Sequence, residues 1–211
     1  MALADIITSL RTLANDTPTA NSIRQETPLG ALDGSNKYFR LQNYPVVAGS
    51  VLMTTSASFR SATGFTVDLV NGIITYTAAP AANAKPFEAD YNYYWFSDTD
   101  HTEFLNRGAE TLGFGVDPTT VPVGLISSML HYALHHFWER RAAQYAHRYA
   151  SSGGAVGHSV DVVTKAFKAL SDKALADAVS FRDDFYKKQG RRANPSSGVT
   201  SYGIDPYTPI R

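Results

Sequence analysis

Histidine and carboxylate side chains at one-turn spacing are the first residues in this chain that could do chemistry. His131, His135 and Glu139 stand at i, i+4 and i+8, which puts them along one face of a helix. Two imidazoles one turn apart can hold a divalent metal, and a carboxylate can complete a facial set. The metalloprotease pattern His-Glu-x-x-His is absent, and spacing reveals no further ligand. The competing reading is a polar stripe on a helix whose other side is core, with His136 and His147 at the surface or at a subunit contact. No cofactor is expected.

A second group is basic and aromatic. Arg140, Arg141 and Arg148 lie among Trp138, Tyr145 and Tyr149, a mixture that single-strand nucleic-acid binders use. These residues are spread round the helix and Glu139 sits among them, so a solvated face with core aromatics explains them as well. The run Ser151-Ser152-Gly153-Gly154-Ala155-Val156-Gly157 superficially resembles a phosphate loop. It lacks the Gly-Lys-Ser/Thr ending and follows a helix instead of a strand, so it reads as an inter-helix loop. In an oligomer, Ser151, Ser152, Gly153 and Gly154 could line a channel. Gly-x-Ser-x-Gly is absent and no Ser-His-Asp set can be argued. Asp98, Asp100, Glu103, Glu110 and Asp117 are explained by helix caps and surface better than by acid/base work. No catalytic residue is assigned, and the chain is not expected to be an enzyme.

Composition narrows the classes further. The chain has 211 residues, enough for one good core or two small ones, and 44% hydrophobic content argues against disorder throughout. Its 19 basic and 19 acidic residues give a formal charge of zero, which weakens any reading based on a net positive field gripping nucleic acid. Without cysteine, neither a disulfide framework nor a thiolate metal site is possible. No apolar run approaches the length of a membrane span, and no secretory signal is visible at the N-terminus. A soluble protein made in the cytoplasm is the expectation.

The elements that must position these residues are mostly helices. Two long helices are predicted, Val123–Ala150 and Ser159–Lys188, joined as an antiparallel hairpin. In the second, Val160, Val163, Phe167, Leu170, Ala174, Ala178, Phe181 and Phe185 share one face by steps of three and four. In the first, the stripe is Ile126, Met129, Leu130, Ala133, Phe137 and Ala143. A short amphipathic helix is predicted at Ala4–Leu13, another at Thr102–Leu112, and period two dominates from about Ile23 to Phe96. There Asn71-Gly72 between two β-rich runs predicts a tight hairpin turn with positive φ at both residues. Phe87, Ala89, Tyr91, Tyr93 and Trp95 alternate onto one face of a later strand. The expected fold class is α+β. A helical bundle built on the long hairpin carries an inserted small antiparallel β-sandwich or barrel of roughly five strands and an extended C-terminal tail. The expected domains are 1–16, the N-terminal helix of the helical domain; 17–96, the inserted β domain; 97–190, the helical bundle; and 191–211, the tail. The tail lacks periodicity yet holds Arg191, Arg192, Tyr202, Ile204, Tyr207 and Ile210, spaced as anchors for a partner surface.

Two stretches carry a family resemblance. Val67-Asp68-Leu69-Val70-Asn71-Gly72-Ile73-Ile74-Thr75-Tyr76-Thr77-Ala78-Ala79-Pro80, leading to Phe87-Glu88-Ala89-Asp90-Tyr91-Asn92-Tyr93-Tyr94, resembles a small β module common in tailed-phage virion proteins. The long aromatic-rich helix, the small-residue loop and the helix opened by Gly157-His158-Ser159-Val160-Asp161 resemble the head–tail connector, or adaptor, proteins of tailed bacteriophages. The chain departs from compact members of that family in its sizeable β insertion and long tail. The resemblance implies a structural virion protein of the neck: a ring, usually dodecameric, beneath the portal, which extends the DNA channel and presents a docking surface for the next neck or tail protein. It also implies that terminal segments reach onto the portal or onto neighbouring copies. The implied partners are therefore the portal protein, the next neck or tail-completion protein, other copies of this chain, and packaged DNA that slides through without sequence-specific binding. The alternatives are a nucleic-acid-binding protein using the Arg140–Arg148 face, or a His-ligated metal protein.

Overall fold

The computed structural model describes residues 1–56, 59–150 and 157–192, without the side chains of 59, 148–150, 157–160, 191 and 192. The order of elements is α1 (Leu3–Ala14), β1 (Ser22–Glu26), β2 (Tyr38–Arg40), β3 (Leu52–Ser56), β4 (Phe59–Ser61), β5 (Phe65–Asp68), β6 (Ile73–Tyr76), β7 (Glu88–Asn92), α2 (Asp98–Thr111), α3 (Ile126–Ala150) and α4 (Gly157–Arg192). This is the expected α+β class. The chain separates into two compact units, one formed by Met1–Ala14 with the chain from Asp100 onward, the other by Asn15–Thr99.

In the helical unit α3 is the central element. Met129, Leu130, Tyr132, Ala133, Leu134, Phe137 and Trp138 are all buried, so its first half is covered nearly all round and not along one stripe. α1 packs against it with Ile6, Leu10 and Ala14 buried. α2 approaches closely at Gly108, where an added Cβ would stand 2.7 Å from the Met129 carbonyl oxygen. α4 runs antiparallel to α3: Ser128 meets Ala178, His135 meets Ser171, and Trp138 stacks on Phe167 with centroids 5.6 Å apart. Phe185 lies over Gly124 in the 3₁₀ turn that precedes α3.

α4 departs from the predicted apolar face. Ser171, Ala174 and Ala178 form its buried line, while Leu170 and Phe181 are 42% and 43% exposed. The small side chains set the approach of the two helices, and the larger residues fall on the flanks of the contact.

Among the described residues the β unit holds seven strands in two antiparallel sheets, ordered β1-β7-β3-β4 and β2-β6-β5. They do not close into a barrel. Registers such as Met53↔Ala89, Ile23↔Tyr91 and Phe39↔Ile74 bring inward residues of both sheets to one core of Phe39, Leu41, Val51, Met53, Ile74, Phe87, Ala89 and Tyr91. Phe39 and Phe87 touch across it, with centroids 4.7 Å apart. Phe87, Ala89 and Tyr91 are buried together, following the alternation of the sequence. Burial pushes the Tyr76 phenol up to about 12.

The turn at Asn71-Gly72 is longer than expected. Asp68 pairs with Ile73, leaving the four residues Leu69–Gly72 in the loop, and of the Asn71-Gly72 pair only Gly72 has positive φ, at 65°. The Asp68 carboxylate organises this loop. It accepts from the Val70 and Asn71 amides at 3.0 and 3.2 Å and from the Asn71 side chain at 2.8 Å. The same bonds, led by that of the Asn71 side chain, hold its pKa below the usual carboxylate range.

Two further carboxylates fix the β unit. Asp90 is buried and accepts from the Gln25 amide at 2.7 Å, where β1 bulges and Gln25 takes φ 56°. Its other oxygen pairs with Arg60. Asp16, fully buried, accepts from the Asn21 side chain at 2.9 Å and from the Trp95 and Phe96 amides at 2.7 and 3.4 Å. It thereby fastens the beginning of the β unit to its end.

Two stability outcomes follow from this packing. Asp16→Ala removes the acceptor shared by three donors at a buried site and should cost at least about 3 kcal/mol in urea unfolding, since each unsatisfied buried group costs about 1–3 kcal/mol. Gly108→Ala forces α2 off α3 and should cost about 1–3 kcal/mol, the usual range for overpacking, with a larger loss for Gly108→Val.

Candidate functional site

The chemistry-bearing residues of the helical unit gather where α3 meets α2 and α4. Glu139 sits one turn beyond both His135 and His136, because i+3 and i+4 positions are neighbours on a helix surface. Its Oε2 lies 3.6 Å from His135 Nε2 and 3.4 Å from His136 Nδ1. The two imidazole centroids are 5.1 Å apart. One ligand atom from each of the three residues falls within 4.8 Å of the others.

His131, the third member of the sequence-derived stripe, is elsewhere. Its Nδ1 is 2.8 Å from the Ser127 carbonyl of its own helix, and its ring packs on Phe181 at 4.9 Å. The structure therefore brings together His135, His136 and Glu139, while His131 belongs to the contact between the two long helices.

His135 is oriented from across the hairpin. Its Nδ1 lies 2.7 Å from Ser171 Oγ and 3.2 Å from the Ser171 carbonyl, and Ser171 is itself buried. That engages Nδ1 and leaves Nε2 turned toward Glu139. Burial lowers the pKa of His136, opposed by its hydrogen bond to Glu139. The sequence places His136 at the surface or at a subunit contact, whereas it is half-buried beside Glu139, and Ser171 is not singled out there. The available signal was a serine interrupting the apolar face of α4 between Leu170 and Ala174.

A shallow cleft of about 290 Å³ between α2 and α3 is lined by Glu103, Arg107, His136, Glu139 and Arg140. Its charges are largely paired. Glu103 accepts from Arg107 at 2.7 Å and from Arg140 at 3.2 Å, and Arg140 also meets Asp100 at 2.8 Å. The Arg140 guanidinium lies 5.6 Å from the centre of the Phe104 ring. The first arginine of the predicted basic-aromatic face is thus engaged by α2 carboxylates, which opposes its use as a phosphate contact. Asp100 and Glu103 act as ion-pair partners, and Asp117 caps a 3₁₀ turn by accepting from the Thr119 amide at 2.9 Å.

The remaining sequence-derived sites lie outside the described residues: the loop Ser151, Ser152, Gly153, Gly154; the tail anchors Tyr202, Ile204, Tyr207, Ile210; and the side chains of Arg148, Arg191 and Arg192. No described helix is long and apolar enough to cross a membrane.

Comparison with known proteins yields one structural likeness. No family model matches the chain. No curated protein matches it. A chain from the neck of an empty GTA particle, computed with C6 symmetry, is similar at 17% identity and a TM-score of 0.26, covering 62% of this chain. The chain here spans 61% of the length of that neck protein.

Proposed function

We propose that this chain is a structural protein of a phage-like virion neck, a head–tail connector or adaptor. The observation that supports this reading is α4. It has 36 residues, about 54 Å of helix at 1.5 Å per residue. Among its described side chains only Ser171, Ala174 and Ala178 are buried, while Val162, Leu170, Leu175, Phe181 and Tyr186 are exposed. A long helix that shows apolar residues on both flanks of its buried line offers surface for another protein. The resemblance of the helix–loop–helix stretch to phage adaptors supports other neck and portal proteins as that partner.

On this reading copies of the chain form a ring beneath the portal, dodecameric as is usual for such adaptors. The ring extends the DNA channel and receives the next neck or tail protein. A closed ring requires two different faces on each subunit. The exposed flanks of α4 and the surface of the inserted β domain supply them. The tail anchors Tyr202, Ile204, Tyr207 and Ile210, with Arg191 and Arg192, reach onto the portal or a neighbouring copy. Ser151, Ser152, Gly153 and Gly154 border the channel. Net neutrality lets DNA slide without being held. The chain has no catalytic role, and it resides in the virion after synthesis in the host cytoplasm.

The test is the native mass of the purified protein, alone and mixed with the portal protein of the same virus. A ring-sized species, or a complex with portal, is expected. A monomer that ignores portal overturns the reading. Removal of residues 191–211 should abolish portal binding, and intact binding would reject the tail assignment. Leu175→Asp with Tyr186→Asp should abolish the ring-sized species while leaving the circular-dichroism melt within a few degrees of the parent, because both side chains are exposed in the single chain.

A further inference from the structure

The structure assigns to α3 a divalent-metal site made of His135 Nε2, His136 Nδ1 and Glu139 Oε2, of the imidazole-carboxylate class that suits zinc. Three observations carry it. First, the ligand types are right: neutral imidazole nitrogen and carboxylate oxygen bind zinc at about 2.0–2.2 Å. The chain has no cysteine, so thiolate-preferring ions are disfavoured.

Second, the spacing is right. Ligands at such bond lengths in a tetrahedron stand about 3.3–3.5 Å from one another. The two nitrogen-to-Oε2 distances are 3.6 and 3.4 Å, and one ligand atom from each of the three residues lies within 4.8 Å of the others. Binding draws the set together from 4.8 Å by rotation of the exposed Glu139 side chain and the His136 ring, and three protein ligands leave a fourth position for water.

Third, the ring of His135 is held from behind. Metal-binding histidines donate their other ring nitrogen to a fixed acceptor, which sets tautomer and orientation. Here Nδ1 meets Ser171 Oγ at 2.7 Å and the Ser171 carbonyl at 3.2 Å, both on α4. Because Ser171 is on the opposite arm of the hairpin, a bound ion couples to the α3–α4 contact. The nearest cations do not exclude a dication: Arg107 pairs with Glu103, and Arg140 pairs with Asp100 and Glu103.

This site is independent of the neck reading. It is tested on the full-length protein, purified without a polyhistidine tag and stripped with chelator, by zinc titration calorimetry and by the visible spectrum of added cobalt(II). One equivalent of zinc per chain, a tetrahedral cobalt spectrum and a zinc-dependent rise in melting temperature are expected. Glu139→Gln and His136→Asn should each weaken binding at least tenfold, and His131→Asn should leave it unchanged. Glu139 is exposed, so its variant folds whatever the fate of the metal. Absence of saturable binding in the parent, or parental affinity in both Glu139→Gln and His136→Asn, would overturn the assignment, as would loss of binding in His131→Asn alone.

Discussion

The close approach of α4 to α3 is the constraint on which the helical unit rests. α4 contributes two alanines and a serine to its buried line, so it gains little from side-chain volume. Small residues allow the helix axes to come near, and hydrogen bonds then fix the register. Ser128 Oγ donates to the Ala178 carbonyl at 2.7 Å, and Ser171 Oγ meets His135 both at Nδ1 and, at 3.2 Å, at its carbonyl. Both hydroxyls are buried, and one left without a partner costs about 1–3 kcal/mol. Polar atoms set this alignment, while the bulky apolar residues of α4 remain at its flanks.

The β unit uses the opposite strategy at its core and a related one at its edges. Aromatic and aliphatic side chains from two sheets fill the interior, and three aspartates manage the irregular backbone around it. Asp68 closes the β5–β6 loop, Asp90 satisfies the bulge of β1, and Asp16 joins the two ends of the unit. Each accepts from backbone amides that no ladder partner serves, and that explains why these departures from regular strands persist.

Much of this architecture is legible in the residues. The change from period two to steps of three and four separates strands from helices, and Phe87, Ala89 and Tyr91 announce the core face of β7. The Asn71-Gly72 pair marks a turn at the right place, yet its type is set by Asp68, whose carboxylate competes for the loop amides; dipeptide preference alone does not contain that competition. The stripe on α3 is legible only in part, because a helix covered by three neighbours buries Tyr132, Leu134 and Trp138 outside any single stripe. The histidine group is half legible. Spacing finds His135 and Glu139, but the choice of His136 over His131 depends on Phe181 and Ser171 from α4, which no local pattern reveals. Asp16 looks like an ordinary helix-ending residue until the fold brings Trp95 to it.

That last bond has a topological consequence. A segment whose first and last residues are within hydrogen-bonding reach of each other occupies, from the host chain's point of view, the space of a short loop. Ends that lie close together are what let a domain be inserted in another chain. The Asp16–Trp95 bond therefore gives the β unit adjacent points of entry and exit, the geometry that domain insertion favours.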